Sequence, residues 1–119
     1  MKIGIVGNGF VGSSVAFGFS PQTGCDAEIK IYDKDESKST HSLVETLESD
    51  FIFVSVPTPS NSDGSINLDI IYDCFHEMSM LNKRKDNVIL LRSTVVPGTT
   101  RALKNKFRNL NIVFNPEFL

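Results

Sequence analysis

The chain opens with Gly7-Asn8-Gly9-Phe10-Val11-Gly12, set directly after an Ile- and Val-rich run from Lys2 to Val6. A Gly-x-Gly-x-x-Gly turn between a buried strand and a helix can hold a pyrophosphate, and each glycine has its own reason. Gly7 permits the tight turn, Gly9 lets the backbone approach the phosphates, and Gly12 lets the helix pack close to the strand. The helix N-terminus adds free N–H groups and the positive end of a dipole. Asp33 closes the second apolar run, 21 residues after Gly12. A carboxylate there accepts hydrogen bonds from both hydroxyls of an adenosine ribose and repels a 2′-phosphate, which favours NAD over NADP. Lys34 tempers that preference without replacing an arginine, and Asp35 suits a turn role better than Asp33 does.

Three further groups of residues stand at the ends of apolar runs. Val56-Pro57-Thr58-Pro59 reads equally as lining for a cofactor groove and as a rigid strand exit. Ser93 and Thr94, in the stretch Arg92 to Thr100, divide between capping the next helix and touching a ligand. Glu117, in Asn115-Pro116-Glu117-Phe118-Leu119, faces the same crevice or is an ordinary surface glutamate. Cys25 and Cys74 match no metal-ligand spacing and have no nucleophile motif around them, so they read as reduced thiols.

The elements needed to position these groups follow from the apolar pattern. Strands are expected at Lys2–Val6, Glu28–Tyr32, Phe51–Val56, Val88–Leu91 and Asn111–Phe114. Helical spacing marks Phe10–Phe19, Ser39–Leu47 (with Leu43, Val44 and Leu47 toward the sheet), Leu68–Leu81 and Gly98–Phe107. Alternating strands and helices with right-handed crossovers predict an α/β fold of Rossmann type. The expectation is a doubly wound, mainly parallel sheet with helices on both faces, filling residues 1–119 as one truncated domain. Ligands in such sheets bind at the carboxyl ends of the strands, where every group named above falls.

Composition narrows the class. A formal net charge of −2 argues against a nucleic-acid partner, which calls for a basic excess. Lys83, Arg84 and Lys85 are followed by Asp86 and read as a solvated helix end. The apolar N-terminal stretch is broken by Asn8, Ser13, Ser14 and glycines, which excludes a signal peptide or membrane span and points to a cytoplasmic protein.

Taken together, residues 2–12 (KIGIVGNGFVG), 32–35 (YDKD), 54–59 (VSVPTP), 93–100 (STVVPGTT) and 115–119 (NPEFL) resemble the UDP-glucose/GDP-mannose dehydrogenase family. The resemblance implies an enzyme of the UDP-glucose 6-dehydrogenase or GDP-mannose dehydrogenase kind, oxidising the C6 hydroxymethyl of a nucleotide sugar to a carboxylate with two NAD molecules in succession; UDP-glucose, GDP-mannose and UDP-N-acetyl sugars all stay open as that sugar. It implies that Gly7, Gly9, Phe10, Val11, Gly12 and Asp33 contact the cofactor and that Val56, Pro57 and Thr58 line its groove, with Ser93 beside them. Thr94 is implied near the reacting centre, positioning a water, and Glu117 close to the nicotinamide in the later hydrolysis. The family's nucleophilic cysteine has no counterpart at Cys25 or Cys74, so the chain is expected to be incomplete and inactive alone. The nucleotide sugar would be a partner only with a C-terminal domain supplied, and an uncovered sheet edge is expected to favour homo-oligomers. The competing expectations are a non-enzymatic NAD-binding module and another NAD-dependent hydroxyacid dehydrogenase of the same fold.

Overall fold

A computed structural model describes residues 1–7, 9, 17–18, 27–93, 95 and 97–115. Five strands, β1 (Lys2–Val6), β2 (Glu28–Tyr32), β3 (Phe51–Val54), β4 (Val88–Leu91) and β5 (Asn111–Phe114), form one sheet in the order β2-β1-β3-β4-β5. Every pairing is parallel. The chain leaves β1 for β2, then returns past β1 to β3, β4 and β5. That reversal opens a crevice between the carboxyl ends of β1 and β3.

Side chains alternate across a strand, so each strand feeds two faces. On one face Val6, Ile52, Val54, Ile89, Leu91 and Ile112 form a core with α1 (Leu43–Thr46), α2 (Asp69–Leu81) and α3 (Thr99–Lys106). On the other, Ile3, Ile5 and Phe53 form a second cluster, with Ile29, Ile31 and Leu90 half-buried against it. Strands buried from both sides need apolar residues at consecutive positions, and Ile52-Phe53-Val54 supplies them.

The apolar positions of α2 explain its place. Ile71, Cys74, Phe75 and Met78 recur at helical spacing and are buried. Phe75 stacks on Phe107 at 6.3 Å between ring centroids, tying α2 to the end of α3. Burying a phenylalanine stabilises by about 2–3 kcal/mol. Leu68 offers no side-chain cap, but Asn67 Oδ1 accepts from the Asp69 N–H at 2.8 Å and satisfies one orphan donor.

Several boundaries differ from expectation for local reasons. The helix expected over 39–47 is reduced to the four-residue α1, and a 3₁₀ turn (Glu36–Lys38) precedes the expected span. The N–H groups of Thr40 and His41 both reach the Ile31 carbonyl, at 2.8 and 3.0 Å, which holds the chain against β2 and delays the helix. A capping box between Ser42 and Glu45 then starts it. Val44 was expected to face the sheet but points to solvent, 42% exposed, and Thr46 is buried in its stead beside Leu43 and Leu47. Strand β3 stops at Val54 because the Val56 N–H bonds to a side chain, Ser93, and leaves the ladder. Arg84 does not behave as part of a solvated run. It donates to Asp86 and Asp50, each at 3.0 Å, and to the Glu48 carbonyl at 2.8 Å. Of the expected first helix, Phe17 and Gly18 are described and both are helical.

Candidate functional site

A cavity of about 790 Å³ lies at the carboxyl ends of β1, β2 and β3. It is the crevice that the strand reversal requires, and the sequence motifs converge on it. Gly7 and Gly9 from the β1 exit, Asp33 from β2, and Val56, Pro57, Thr58 and Ser93 from the β3 and β4 exits all line it. Phe10, Val11, Gly12, Thr94 and Glu117 lie outside the described residues, as does Cys25.

Gly7 is required by the fold itself. Its φ is +92°, and a Cβ there would stand 2.3 Å from the Ser55 carbonyl oxygen. Its N–H donates to the Tyr32 carbonyl at 2.8 Å, so the turn is fixed to the end of β2. Gly9 differs. A Cβ there would meet nothing within 4 Å, so no contact among the described residues demands glycine. What glycine provides at that position is open space on the cavity, where backbone can approach a ligand.

Asp33 is held by three hydrogen bonds with two residues, Ser39 and Asp35. Its N–H donates to Ser39 Oγ at 2.7 Å, and Ser39 Oγ donates back to the Asp33 carbonyl at 2.8 Å. One carboxylate oxygen, Oδ1, accepts from the Asp35 N–H at 2.9 Å. Asp35 takes the turn role: its Oδ1 accepts from the Ser37 N–H and hydroxyl, which holds its carboxyl below the usual range. A carboxylate fixed in this way needs little further ordering to receive a ribose.

Ser93 neither caps α3 nor points idly at the cavity. Its Oγ accepts from the Val56 N–H at 3.0 Å and donates to the Val56 carbonyl at 2.8 Å. This clasp extends the β3–β4 connection beyond the last backbone rung, Arg92 N–H to Val54 carbonyl at 2.8 Å. It fixes the strand exit that carries Pro57 and Thr58. Helix α3 instead begins after Gly98, with no side-chain cap bond.

Several lining residues carried no sequence signal. Tyr32, Leu43, Ile70, Cys74 and Glu77 come together only through the crossover of α2 over the sheet. Lys38, at the end of the 3₁₀ turn, also lines the cavity. The Cys74 thiol is pushed up to about 12, first by burial and then by the Glu77 carboxylate, so it stays protonated at neutral pH. Among the described residues there is no cluster of His, Cys, Asp or Glu that could hold a metal, and no helix long and apolar enough to cross a membrane.

The residues present fit a dinucleotide. A glycine turn at a strand end, open backbone at Gly9 and a fixed carboxylate on the adjacent strand share one crevice at the switch point.

Comparison with known proteins agrees. Residues 38–119 match the model of the UDP-glucose/GDP-mannose dehydrogenase family, NAD binding domain. The whole chain is 27% identical to the UDP-glucose 6-dehydrogenase AglM of Haloferax volcanii and spans 36% of that protein. The alignment runs over 157 positions against 119 residues, so 38 or more positions of that relative have no counterpart here. The UDP-glucose 6-dehydrogenase of Campylobacter jejuni is 31% identical, again over the whole chain and 37% of its own length. Among solved structures, the GDP-mannose dehydrogenase of Pseudomonas aeruginosa superposes on the full chain with a TM-score of 0.79 at 23% identity, over 36% of its own chain. The chain thus spans little more than a third of each of these two curated relatives. It belongs to the UDP-glucose/GDP-mannose dehydrogenase family and carries that family's NAD-binding domain.

Proposed function

We propose that this chain is the cofactor half of a nucleotide-sugar 6-dehydrogenase and depends on another polypeptide segment for the nucleophile and the sugar site. The observation that carries this reading is the convergence of Gly7, Gly9 and Asp33 on one cavity at the switch point. Gly7 and Gly9 bring backbone to the pyrophosphate, and Asp33 accepts from the adenosine ribose. Val56, Pro57 and Thr58 line the groove, with Val56 clasped by Ser93. Phe10, Val11 and Gly12 complete the turn by sequence, and the family resemblance assigns Thr94 and Glu117 to the reacting centre. Bound NAD supplies the hydride acceptor for the sugar C6 carbon.

Covalent catalysis at that carbon needs a thiolate. Cys74 does not serve, because its thiol is buried and protonated. Cys25 has no surrounding motif that would direct it to a sugar.

Mixing the chain with a separately expressed C-terminal segment of a family member, then adding NAD and UDP-glucose, tests the proposal. Neither part is expected to form NADH alone, and the mixture is. Turnover by the chain alone would refute the missing nucleophile. No NADH with any nucleotide sugar or complementing segment would favour a non-enzymatic NAD-binding module.

A further inference from the structure

Ile70, Cys74 and Glu77 follow one another along α2 at steps of four and three residues, so they form one stripe of the helix. All three line the cavity, facing Tyr32 at the end of β2 and Leu43 at the start of α1. This part of the cavity is a slot with largely apolar walls, with the Glu77 carboxylate and, from the β2 exit, the Lys34 ammonium within electrostatic reach of Cys74. Burial first, and then the Glu77 carboxylate, raise the Tyr32 phenol, which places the two groups within electrostatic reach. The same two causes in the same order keep the Cys74 thiol neutral, so that wall carries no charge. Glu77 is exposed at the rim, and no hydrogen bond or ion pair engages its carboxylate among the described residues.

Tyr32 and Asp33 line the same cavity, so the base of a nucleotide whose ribose meets Asp33 has this slot within reach. A purine has apolar faces and a polar edge. The faces suit Tyr32, Leu43, Ile70 and Cys74, and the edge meets Glu77.

We infer that Glu77 reads the base: its carboxylate accepts from an exocyclic amine, so the slot takes a 6-amino purine and disfavours a 6-oxo purine. An ionised carboxylate can only accept. On its N7 side adenine offers an N6–H donor, whereas hypoxanthine there offers only the acceptors O6 and N7, its N1–H lying on the other side of C6. Two opposed acceptors leave both groups without a partner, which is how a polar site rejects a near-isostere. This inference rests on reading the cavity as the NAD site.

Calorimetric titration with NAD and with nicotinamide hypoxanthine dinucleotide tests it on the wild-type chain and on Glu77→Gln. The wild type is expected to prefer NAD by about tenfold, a charged hydrogen bond at a partly exposed site. In Glu77→Gln the preference is expected to fall to about one, because an amide both donates and accepts. Glu77 is exposed, and an unchanged thermal melting curve verifies that the variant folds. Equal wild-type affinities, or the same preference in both proteins, would overturn the inference while leaving the NAD reading intact. Failure of the wild type to bind either dinucleotide would overturn the NAD reading and the inference with it.

Discussion

The Ser93 hydroxyl gives and takes a hydrogen bond with the same residue, Val56, at 2.8 and 3.0 Å. From sequence, its role divided between capping a helix and touching a ligand, because both need a hydroxyl at a strand exit. Only the parallel pairing of β3 with β4 shows that the neighbouring strand has already engaged it. Truncation in Ser93→Ala leaves the Val56 N–H and carbonyl unpaired in a half-buried place, at a cost of about 1–2 kcal/mol. Urea denaturation should show that loss. NAD affinity should fall several-fold as the Val56–Thr58 exit loosens, although Ser93 need not touch the cofactor. Gly7 and Asp33 were more legible. A turn glycine after a strand and an acid after the next strand have mechanical reasons that do not depend on distant residues. Glu77 was illegible, since nothing in its local sequence distinguishes it from any exposed helical glutamate.

At the scale of elements, the five strands were readable because burial on both faces demands near-continuous apolar runs. Segment 33–50 was less so. Its course depends on hydrogen bonds from Thr40 and His41 to the end of β2, which periodicity does not encode. The short α1 is nonetheless anchored through a buried amide. Asn87, 1% exposed, donates through Nδ2 to the Leu47 carbonyl and to Asn82 Oδ1, both at 2.9 Å. It thereby joins the end of α1 to the C-cap of α2 just before β4 begins. Replacing it with alanine leaves buried acceptors unsatisfied and should cost about 2–3 kcal/mol. A drop of that size in the urea-derived unfolding free energy checks the role, and a change near zero would show that water replaces the amide.

For the molecule as a whole, the first strand is tied to the rest through Asp50. Its Oδ2 accepts from the Lys2 N–H at 3.0 Å, and its Oδ1 accepts from Arg84 at 3.0 Å. The Lys2 bond first, and then Arg84, hold the Asp50 carboxyl below its usual range. A carboxyl lowered in the folded state stabilises above its unfolded pKa of about 3.9. That contribution is lost as pH falls through the lower folded value. The urea midpoint should therefore fall as pH drops from about 5 to about 3, and less steeply in Asp50→Asn. Asp35, Asp63, Asp86 and Glu45 are lowered too, so the slope should be reduced rather than abolished. At the far edge of the sheet, Val113 and Phe114 of β5 are 46% and 41% exposed, the surface on which the expected self-association would draw.

This crevice is proposed to hold NAD through the β1 glycine turn and the Asp33 carboxylate. Calorimetric titration of the wild-type chain and of Asp33→Ala with NAD and NADP tests it most directly. Wild-type binding of NAD is expected, with NADP weaker by about tenfold or more, and both NAD affinity and that preference are expected to be lost in Asp33→Ala. Equal wild-type affinity for the two dinucleotides, or NAD binding unchanged in Asp33→Ala, would contradict it.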